Sequence, residues 1–392
     1  MRDQVEGSHA IARAVVRCRP QVVCAYPISP QTHIVEALAA AVRTGELAPC
    51  EFVNVESEFA ALSVAIGASA AGSRAYTATS SQGLLFMAEA LYNAAGLGLP
   101  IVMTVANRAL GAPINIWNDH SDSMSQRDSG WVQLYAASNQ HAADLHLLAF
   151  RLAEELSVPV MVCVDGFVLT HAFEAVDLPD AARVDRFLPA FRPRQVLDPE
   201  HPVSIGAMVG PDAFTEVRYL AHTTALRATD RIPALAAELA SVLGRPVPAP
   251  LHPYRLAGAE TVVVALGSVL GTVQDTVDEL RQGGRKVGAL GLTAFRPFPA
   301  AALRQALTGA TRVVVLERAF TPGVGGIVTA DLRAALADLD VSARTVVAGL
   351  GGRAVTRDSL RRVLTAAHED ALAPLTFLDL RRDLVASAER GA

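Results

Sequence analysis

Glu58, Arg108 and Ser29 combine the side-chain types that proton transfer and carboxylate binding require. Each stands just after an apolar run of strand-like composition, and a polar cluster, Thr-Ser-Ser-Gln at 79–82, follows another such run. A carboxylate can hold or transfer a proton, an arginine can bind a carboxylate through two hydrogen bonds, and hydroxyls can complete either contact. Brought to one cleft, these groups would bind a polar heterocycle and a small carboxylate.

Each of these residues also has a plainer structural explanation. Glu58 precedes an apolar helical run, where an acid in the first turn is favourable whatever its function. Arg108 would equally suit a structural ion pair. In Tyr-Pro-Ile-Ser-Pro (26–30), Pro30 would open a helix that Ser29 caps, or the turn would present a hydroxyl and backbone groups to a cofactor. The residues alone leave these alternatives open.

The elements that must position these groups alternate along the first half of the chain. Valine-rich runs predict strands at QVVCAYP, PCEFVNVES, SRAYTATSS, LPIVMTVANR and VPVMVCVDG. Amphipathic stretches between them predict helices at THIVEALAAAVRTG, FAALSVAIGASAAG and GLLFMAEALYNAAG. This alternation predicts a doubly wound, parallel α/β sheet. Sites in such sheets lie at the carboxyl ends of the strands, where the candidate groups stand.

A proline-rich stretch, GRPVPAPLHPYRL, separates this half from a second alternating series. The second series predicts strands at TVVVALGS, KVGALGL, TRVVVLE and RTVVAGL. We therefore expect two α/β domains joined by a stiff linker. The first spans 1–245 and ends in a helical extension, and the second spans 255–392.

Composition excludes several classes of function. The 392 residues carry a net charge of −5 and a pI near 6.1, which favours neither nucleic acid nor an anionic membrane as partner. No signal peptide or spanning segment is evident, so we expect a cytoplasmic protein. The four cysteines lack the spacing of zinc or iron–sulfur sites, and the sole lysine, Lys286, lacks a P-loop context. We expect no metal site within this chain.

Three short motifs permit a site without requiring one. Asp119, His120 and Asp122 in NDHSD would suit a metal or, equally, turn and cap chemistry. The glycine-rich run 349–354 matches a loose dinucleotide pattern, although a plain turn explains it better. The run 321–328 would hold an anion at a helix N-terminus or form a tight loop.

Longer segments carry a resemblance to a known family. They are YPISPQTHIVEAL, VNVESEFAALSVAIGASAAGSRAYTATSSQGL and NRALGAPINIWNDHSDSMSQRDSGW, followed in order by others as far as LERAFTPGVGG. Over nearly its whole length the chain resembles the alpha subunit of the pyruvate (2-oxoacid):ferredoxin oxidoreductases. The resemblance implies a pyrimidine-binding domain for thiamine diphosphate, followed by a domain like the C-terminal one of transketolases.

The resemblance also implies roles for the candidate residues. Glu58 matches the glutamate that hydrogen-bonds the aminopyrimidine ring, and Arg108 matches the arginine that meets the substrate carboxylate. Ser29 stands where the family commonly has threonine, so the catalytic hydroxyl is retained. The implied cofactor contacts, besides Glu58, are Tyr26, Pro27, Ile28, Ser29, Ser81 and Gln82.

The same resemblance implies partners. This chain lacks a G-D-G diphosphate motif, so Mg²⁺, the diphosphate half of the cofactor and the 4Fe-4S clusters are expected in beta and ferredoxin-like subunits, with a gamma subunit in many members. The implied complex converts pyruvate and coenzyme A to acyl-CoA, CO₂ and reduced ferredoxin, or runs in reverse. Branched-chain or aryl 2-oxoacids are alternative substrates. A self-sufficient transketolase-like enzyme and a non-catalytic scaffold are alternative functions.

Overall fold

Two open α/β sheets organise the chain, whose structure is a computed structural model describing residues 2–391. The strands are β1 (Arg2–Glu6), β2 (Val22–Ala25), β3 (Glu51–Asn54), β4 (Ala75–Thr79), β5 (Val102–Asn107), β6 (Val132–Tyr135), β7 (Val160–Asp165), β8 (Phe173–Asp177), β9 (Leu251–Tyr254), β10 (Thr261–Ala265), β11 (Val287–Leu292), β12 (Ala294–Arg296), β13 (Arg312–Glu317), β14 (Phe320–Thr321), β15 (Gly325–Gly326), β16 (Ser342–Val347) and β17 (Leu375–Phe377). The helices are α1 (Gly7–Cys18), α2 (Thr32–Arg43), α3 (Glu58–Ala70), α4 (Ser81–Phe86), α5 (Ala88–Gly96), α6 (Ser121–Ser125), α7 (Asn139–Leu156), α8 (Ala181–Phe187), α9 (Pro211–Leu243), α10 (Val269–Gln282), α11 (Ala300–Ala306), α12 (Ile327–Ala335), α13 (Arg357–His368) and α14 (Arg382–Gly391).

The first sheet has the order β12-β6-β7-β5-β4-β2-β3, and its neighbours are parallel except for the β12–β6 pair. The second has the order β17-β16-β13-β10-β11-β9, with only β9 antiparallel. Helices connect the parallel strands, as right-handed crossovers require. The predicted α/β fold class with parallel sheets is confirmed.

The two halves of the chain are joined by a shared sheet and a shared core. Strand β12 follows the second sheet's β11 in sequence but pairs with β6 at the edge of the first sheet. One buried apolar cluster is continuous from Leu62 in α3 to Val264 in β10, between the two sheets. Separate clusters lie under α1, α2 and α7 on the outer face of the first sheet and under α10 and α13 on the second. Because apolar burial is the main stabilising term, this shared core fixes the second sheet against the first.

Two local predictions are wrong. The single helix expected over GLLFMAEALYNAAG is broken at Met87 into α4 and α5. Ser29 does not cap a helix, because α2 begins at Thr32, its N-cap residue is Gln31, and no side chain caps it. The turn 26–31 is therefore a loop in its own right, held by other contacts.

The core beneath the first sheet holds a buried polar chain that ends at His146. The Tyr76 hydroxyl lies 2.7 Å from Thr104 Oγ1, and Thr104 Oγ1 lies 2.6 Å from His146 Nε2. His146 Nδ1 lies 2.7 Å from the carbonyl oxygen of Ala142, which can only accept, so Nδ1 carries the proton and Nε2 accepts from Thr104. Burial lowers the pKa of His146 from 6.5 to about 4.

This histidine makes stability depend on pH. Below pH 6.5 the unfolded chain binds a proton that the folded chain binds only near pH 4, so acidification destabilises the fold by about 1.4 kcal/mol per pH unit in that window. His146→Gln keeps a donor and an acceptor without titrating. We expect the gap between the thermal-unfolding midpoints of wild type and H146Q to narrow from pH 7 to pH 5. A gap that stays constant over this range would contradict the assignment of a neutral buried His146.

Candidate active site

Glu58 occupies the first position of α3 at the carboxyl edge of the first sheet. Ser57 caps the helix by accepting a hydrogen bond from the Ala60 amide at 3.2 Å. Glu58 is only 8% exposed, yet among the described side chains of residues 3–389 no group hydrogen-bonds its carboxylate or forms an ion pair with it. A buried carboxylate without a partner is costly in an inert protein. Its remaining hydrogen-bonding capacity is free for a ligand.

The surroundings of Glu58 are shaped by Gly83. A Cβ atom at Gly83 would lie 2.8 Å from Glu58 Oε1 and 2.6 Å from Thr79 Oγ1, so only glycine fits there without displacing a neighbour. Thr79, at the end of β4, is fully buried and its hydroxyl is also unpartnered within the described chain. A carboxylate and a hydroxyl with unused capacity therefore flank one tightly packed glycine.

Arg108 joins the end of β5 to the turn at 26–31. Its Nη1 donates to the Ser29 carbonyl at 3.0 Å, and its Nε lies 3.4 Å from the Asn115 carbonyl. Within residues 2–391 it makes no ion pair, so the structural ion-pair interpretation of Arg108 has no support. Gln31 fixes the same turn, because its Nε2 donates to the carbonyls of Tyr26 and Ala78.

The side chains of the turn face outward. Tyr26, Pro27 and Ser29 are exposed and Ile28 is half-buried, so the Ser29 hydroxyl is open to a ligand or a partner. The turn, Glu58 and Arg108 follow the carboxyl ends of β2, β3 and β5, with β4 between β2 and β5, on the edge where sites of such sheets form.

Ser81 and Gln82 differ in how accessible their side chains are to a ligand. Ser81 is fully buried with a left-handed φ of 49°, and its hydroxyl lies 2.7 Å from the Ala109 carbonyl and 2.5 Å from Gln82 Oε1. Gln82 is exposed, and its Nε2 would lie 2.7 Å from a Cβ at Gly111. The Ser81 hydroxyl thus tethers the loop after Arg108, whereas Gln82 faces the open edge.

Asp122, for which the sequence suggested either a metal site or turn and cap chemistry, links these strand ends. Its carboxylate accepts hydrogen bonds from the Ser81 and Arg108 amides, both at 3.0 Å, and from Asn107 Nδ2 at 2.8 Å. Burial raises the pKa of Asp122 to about 6, although these hydrogen bonds oppose the rise. The signal available in the sequence was its place in a polar run directly after the loop that begins at Arg108.

The loop after Arg108 docks on the second half of the chain. Asn115 Nδ2 donates to the Gly351 carbonyl at 3.2 Å, the Gly351 amide donates to Asp119 Oδ2 at 3.0 Å, and the Gly352 amide donates to the Asn118 carbonyl at 2.8 Å. The glycine run 349–354 is thus a short 3₁₀ turn that receives this loop, which argues against the dinucleotide interpretation.

Asp165, at the end of β7, is a second link between the halves and was missed by sequence reasoning. It accepts from His120 Nε2 at 2.7 Å and from the Ser268 amide at 2.9 Å, and it pairs with Arg318 at 3.4 Å. Burial alone would raise the pKa of Asp165, but Arg318 and His120 outweigh it and hold the pKa well below its usual range. The signal available in the sequence was an aspartate that ends an apolar strand before glycine.

The remaining motif hypotheses gain no support. Asp119, His120 and Asp122 contact different partners, and within residues 2–391 no group of three or more His, Cys, Asp or Glu side chains is placed to hold a metal ion. At the start of α12 the Thr329 amide donates to Glu317 at 2.7 Å, so an internal carboxylate already occupies the proposed anion-holding end.

Comparison with known proteins decides the family. The model for the pyruvate flavodoxin/ferredoxin oxidoreductase thiamine diphosphate-binding domain matches residues 13–236, which is more than half of the chain. The chain belongs to this pyruvate:ferredoxin oxidoreductase family. The model for core domain II of pyruvate:ferredoxin oxidoreductase matches residues 259–360.

Relatives of this oxidoreductase family match along nearly the whole chain. Pyruvate synthase subunit PorA of Methanosarcina barkeri is 45% identical, with 97% of each chain covered, and PorA of Thermotoga maritima is 43% identical, again with 97% of each covered. Ketoisovalerate oxidoreductase subunit VorA of Pyrococcus horikoshii is 40% identical over 90% of each.

A solved structure shares the fold. A 2-oxoglutarate:ferredoxin oxidoreductase from Magnetococcus marinus, with 2-oxoglutarate, coenzyme A and succinyl-CoA bound, superposes with a TM-score of 0.69 at 19% identity. The match covers 93% of this chain and 65% of that longer chain.

These findings confirm the recognised family and the expected function as a subunit of a 2-oxoacid:ferredoxin oxidoreductase. The family's cofactor also suits the geometry. An aminopyrimidine ring needs a buried carboxylate with free hydrogen-bonding capacity, and Glu58 is such a group, held in place by its close packing against Gly83. The thiamine diphosphate-binding domain and the unpartnered glutamate are thus consistent with each other.

Proposed function

We propose that the chain is the alpha subunit of a pyruvate:ferredoxin oxidoreductase, oxidising pyruvate with coenzyme A to acetyl-CoA and CO₂ or catalysing the reverse carboxylation. The observation that carries the proposal is the buried, unpartnered Glu58 carboxylate beside Gly83, within a chain that matches PorA subunits along 97% of its length. The VorA match keeps a branched-chain 2-oxoacid as the second candidate substrate.

The chain's own residues take the following roles. Glu58 holds a proton against the ring of the bound cofactor, while Arg108 binds the substrate carboxylate and Ser29 offers its exposed hydroxyl to it. Tyr26, Pro27, Ile28 and Gln82 line the cofactor, and Ser81 holds the adjoining loop in place. Thiamine diphosphate supplies a carbon nucleophile that also accepts the electron pair released with CO₂. Asp122 keeps the Ser81 and Arg108 amides in register.

The remaining parts come from other subunits. A beta subunit supplies Mg²⁺, the diphosphate site and a cluster, and ferredoxin-like and gamma subunits complete the path of electrons through 4Fe-4S clusters to ferredoxin. All four cysteines of this chain are free, and Cys18, Cys24 and Cys163 are buried. Burial raises the pKa of Cys24 to about 12, so it is a poor thiolate ligand. Free thiols favour a reducing compartment, and we place the complex in the cytoplasm.

The division into domains is part of the same proposal. Residues 1–245 form the pyrimidine-binding domain and 255–392 the transketolase-like domain, whose function here is to brace the loop after Arg108. The family models, which end at 236 and begin again at 259, support this division.

A substrate panel tests the proposed function. The chain is co-expressed with its partner subunits, and coenzyme A-dependent viologen reduction is measured with pyruvate, 2-oxoisovalerate, an aryl 2-oxoacid and 2-oxoglutarate. We expect the highest kcat/KM with pyruvate, and no activity or visible cluster absorption from this chain alone. A preference for another acid would overturn the assignment of pyruvate as substrate. Absence of turnover with all four 2-oxoacids would overturn the proposed enzymatic function.

The variant Arg108→Lys belongs in the same assay. Lysine keeps the charge but loses the paired donors that match a carboxylate, so KM for the 2-oxoacid should rise about 10-fold while kcat changes less. Arg192→Lys, an exposed arginine outside the site, is the control. An unchanged KM in R108K would remove Arg108 from the substrate site.

A further inference from the structure

Thr79 carries a buried hydroxyl that lies beside the Glu58 carboxylate and bonds to nothing. It is the last residue of β4, none of its surface is exposed, and no group in the described part of the chain hydrogen-bonds its Oγ1. Burying a hydroxyl without replacing the hydrogen bonds that it makes in water is destabilising. An uncompensated group of this kind, placed next to a reactive one, indicates a function that the fold alone does not require.

Gly83 shows how close the two groups are. One point, the Cβ position that glycine leaves empty, lies 2.6 Å from Thr79 Oγ1 and 2.8 Å from Glu58 Oε1. Both oxygens therefore face the same side of Gly83. The last side-chain torsion of a glutamate is broad, so a small rotation turns a carboxylate oxygen toward the hydroxyl. The hydroxyl is a donor without an acceptor and the carboxylate is an acceptor without a donor, so the two are complementary.

The donors next to Thr79 along the chain are already used elsewhere. The Ser80 hydroxyl donates to the Ala106 carbonyl at 2.7 Å, and Ser81 Oγ lies 2.7 Å from the Ala109 carbonyl. The Gly83 amide donates to the carbonyl of Ser80 at 2.9 Å. Among these neighbouring donors, the threonine hydroxyl is the one still available to the carboxylate.

We propose that Thr79 is a positioning residue for Glu58, whose hydroxyl donates to one carboxylate oxygen and so directs the other oxygen at the cofactor ring. This inference rests on the proposed function, in which Glu58 holds a proton against that ring. A carboxylate fixed by a donor keeps one orientation, and the orientation of a proton-transferring group contributes directly to rate. Thr79 acts through Glu58, so its contribution belongs to kcat rather than to substrate binding.

Thr79→Val removes the hydroxyl and keeps nearly the same shape. In the assembled complex we expect kcat for viologen reduction by the preferred 2-oxoacid to fall about 10-fold, the rate equivalent of one hydrogen bond. KM and thiamine content should stay within about twofold of wild type. Thr79→Ser keeps the hydroxyl and should retain most of the wild-type kcat. An unchanged kcat in T79V, a loss that T79S shares, or a loss of bound thiamine would overturn the proposal.

Thr77→Val is the matched control. Thr77 lies two residues earlier on the same face of β4, about 7 Å from Thr79, and it is also fully buried with an unpartnered hydroxyl in the described part of the chain. T77V should keep full activity. In the isolated full-length chain, T77V and T79V should both unfold at or above the wild-type thermal midpoint, because each removes a buried hydroxyl without a partner. A midpoint of T79V below wild type would assign this hydroxyl to the fold and contradict the proposal.

A double-mutant cycle separates this inference from the proposed function. If Thr79 acts through Glu58, T79V should lower kcat about 10-fold in the wild-type background but less than twofold in the Glu58→Gln background. An equal loss in both backgrounds would overturn the role of Thr79 and leave the proposed function intact. Near-normal turnover in E58Q itself would overturn the proposed function, and this inference with it.

Discussion

Glu58→Gln should abolish most turnover while leaving the cofactor bound. The glutamine has the shape of the glutamate but cannot exchange a proton with the ring, and general acid–base groups contribute about 10²- to 10⁴-fold to rate. We expect kcat for viologen reduction by pyruvate to fall about 10³-fold in the assembled complex. Thiamine content, measured after release from the protein, should remain within about twofold of wild type, because a hydrogen bond to the ring survives.

The matched control for this variant is Glu56→Gln. Glu56 lies two positions earlier in the chain and is exposed, so its replacement should leave turnover unchanged. Near-normal turnover in E58Q would favour the non-catalytic scaffold over the enzyme subunit. Loss of activity together with loss of thiamine would instead assign Glu58 to binding alone.

Gly83→Ala should lower activity about 10²-fold without touching a reactive group. Its Cβ would meet Thr79 Oγ1 at 2.6 Å and Glu58 Oε1 at 2.8 Å, and both distances are too short for any side-chain carbon. Thr79 is buried in β4, so the Glu58 carboxylate must give way. A displacement of about an ångström at a catalytic group commonly costs this much in rate.

Gly67→Ala is the matched control, since Gly67 lies in α3 with Glu58 and a Cβ there meets nothing within 4 Å. It should keep full activity and raise the thermal midpoint slightly, because alanine favours a helix over glycine. Full activity in G83A would mean that the position of Glu58 is not held as tightly as the packing indicates. A misfolded G83A, seen as a lowered thermal midpoint, is separated from this outcome by the unfolding curve.

The sequence predicts the parallel sheets because their signal is local. Eight of the strands are apolar runs between amphipathic helices, and about ten residues of sequence are enough to predict each one. They are β2, β4, β5, β7, β10, β11, β13 and β16. The helix break at Met87 cannot be predicted in this way, because the apolar pattern continues across it. The pairing of β12 with β6 cannot be predicted from local sequence either, because it depends on how the two halves of the chain pack together.

The sequence predicts those parts of the candidate site in which a polar or charged residue directly follows a predicted strand. Glu58, Arg108 and the turn at 26–31 follow apolar strands, and the structure places all three on one edge. The hydrogen bonds that support these residues join positions far apart in the sequence. Asp122 holds Ser81 across 41 positions of the chain, and Asp165 binds Ser268 across 103, so only the fold reveals them. The Ser29 cap was wrong because α2 starts three residues later, at Thr32.

Strand β12 has a consequence for biosynthesis. The β6 edge leaves the ribosome long before residues 294–296 are made, and at usual elongation rates of about 5–20 residues per second it waits roughly 10–30 s for its partner. During that time an open strand edge and half of the shared core face the cytosol. The nascent first half is therefore a natural client for chaperones, and a gene fragment that stops at the linker would yield an aggregating product rather than a working module.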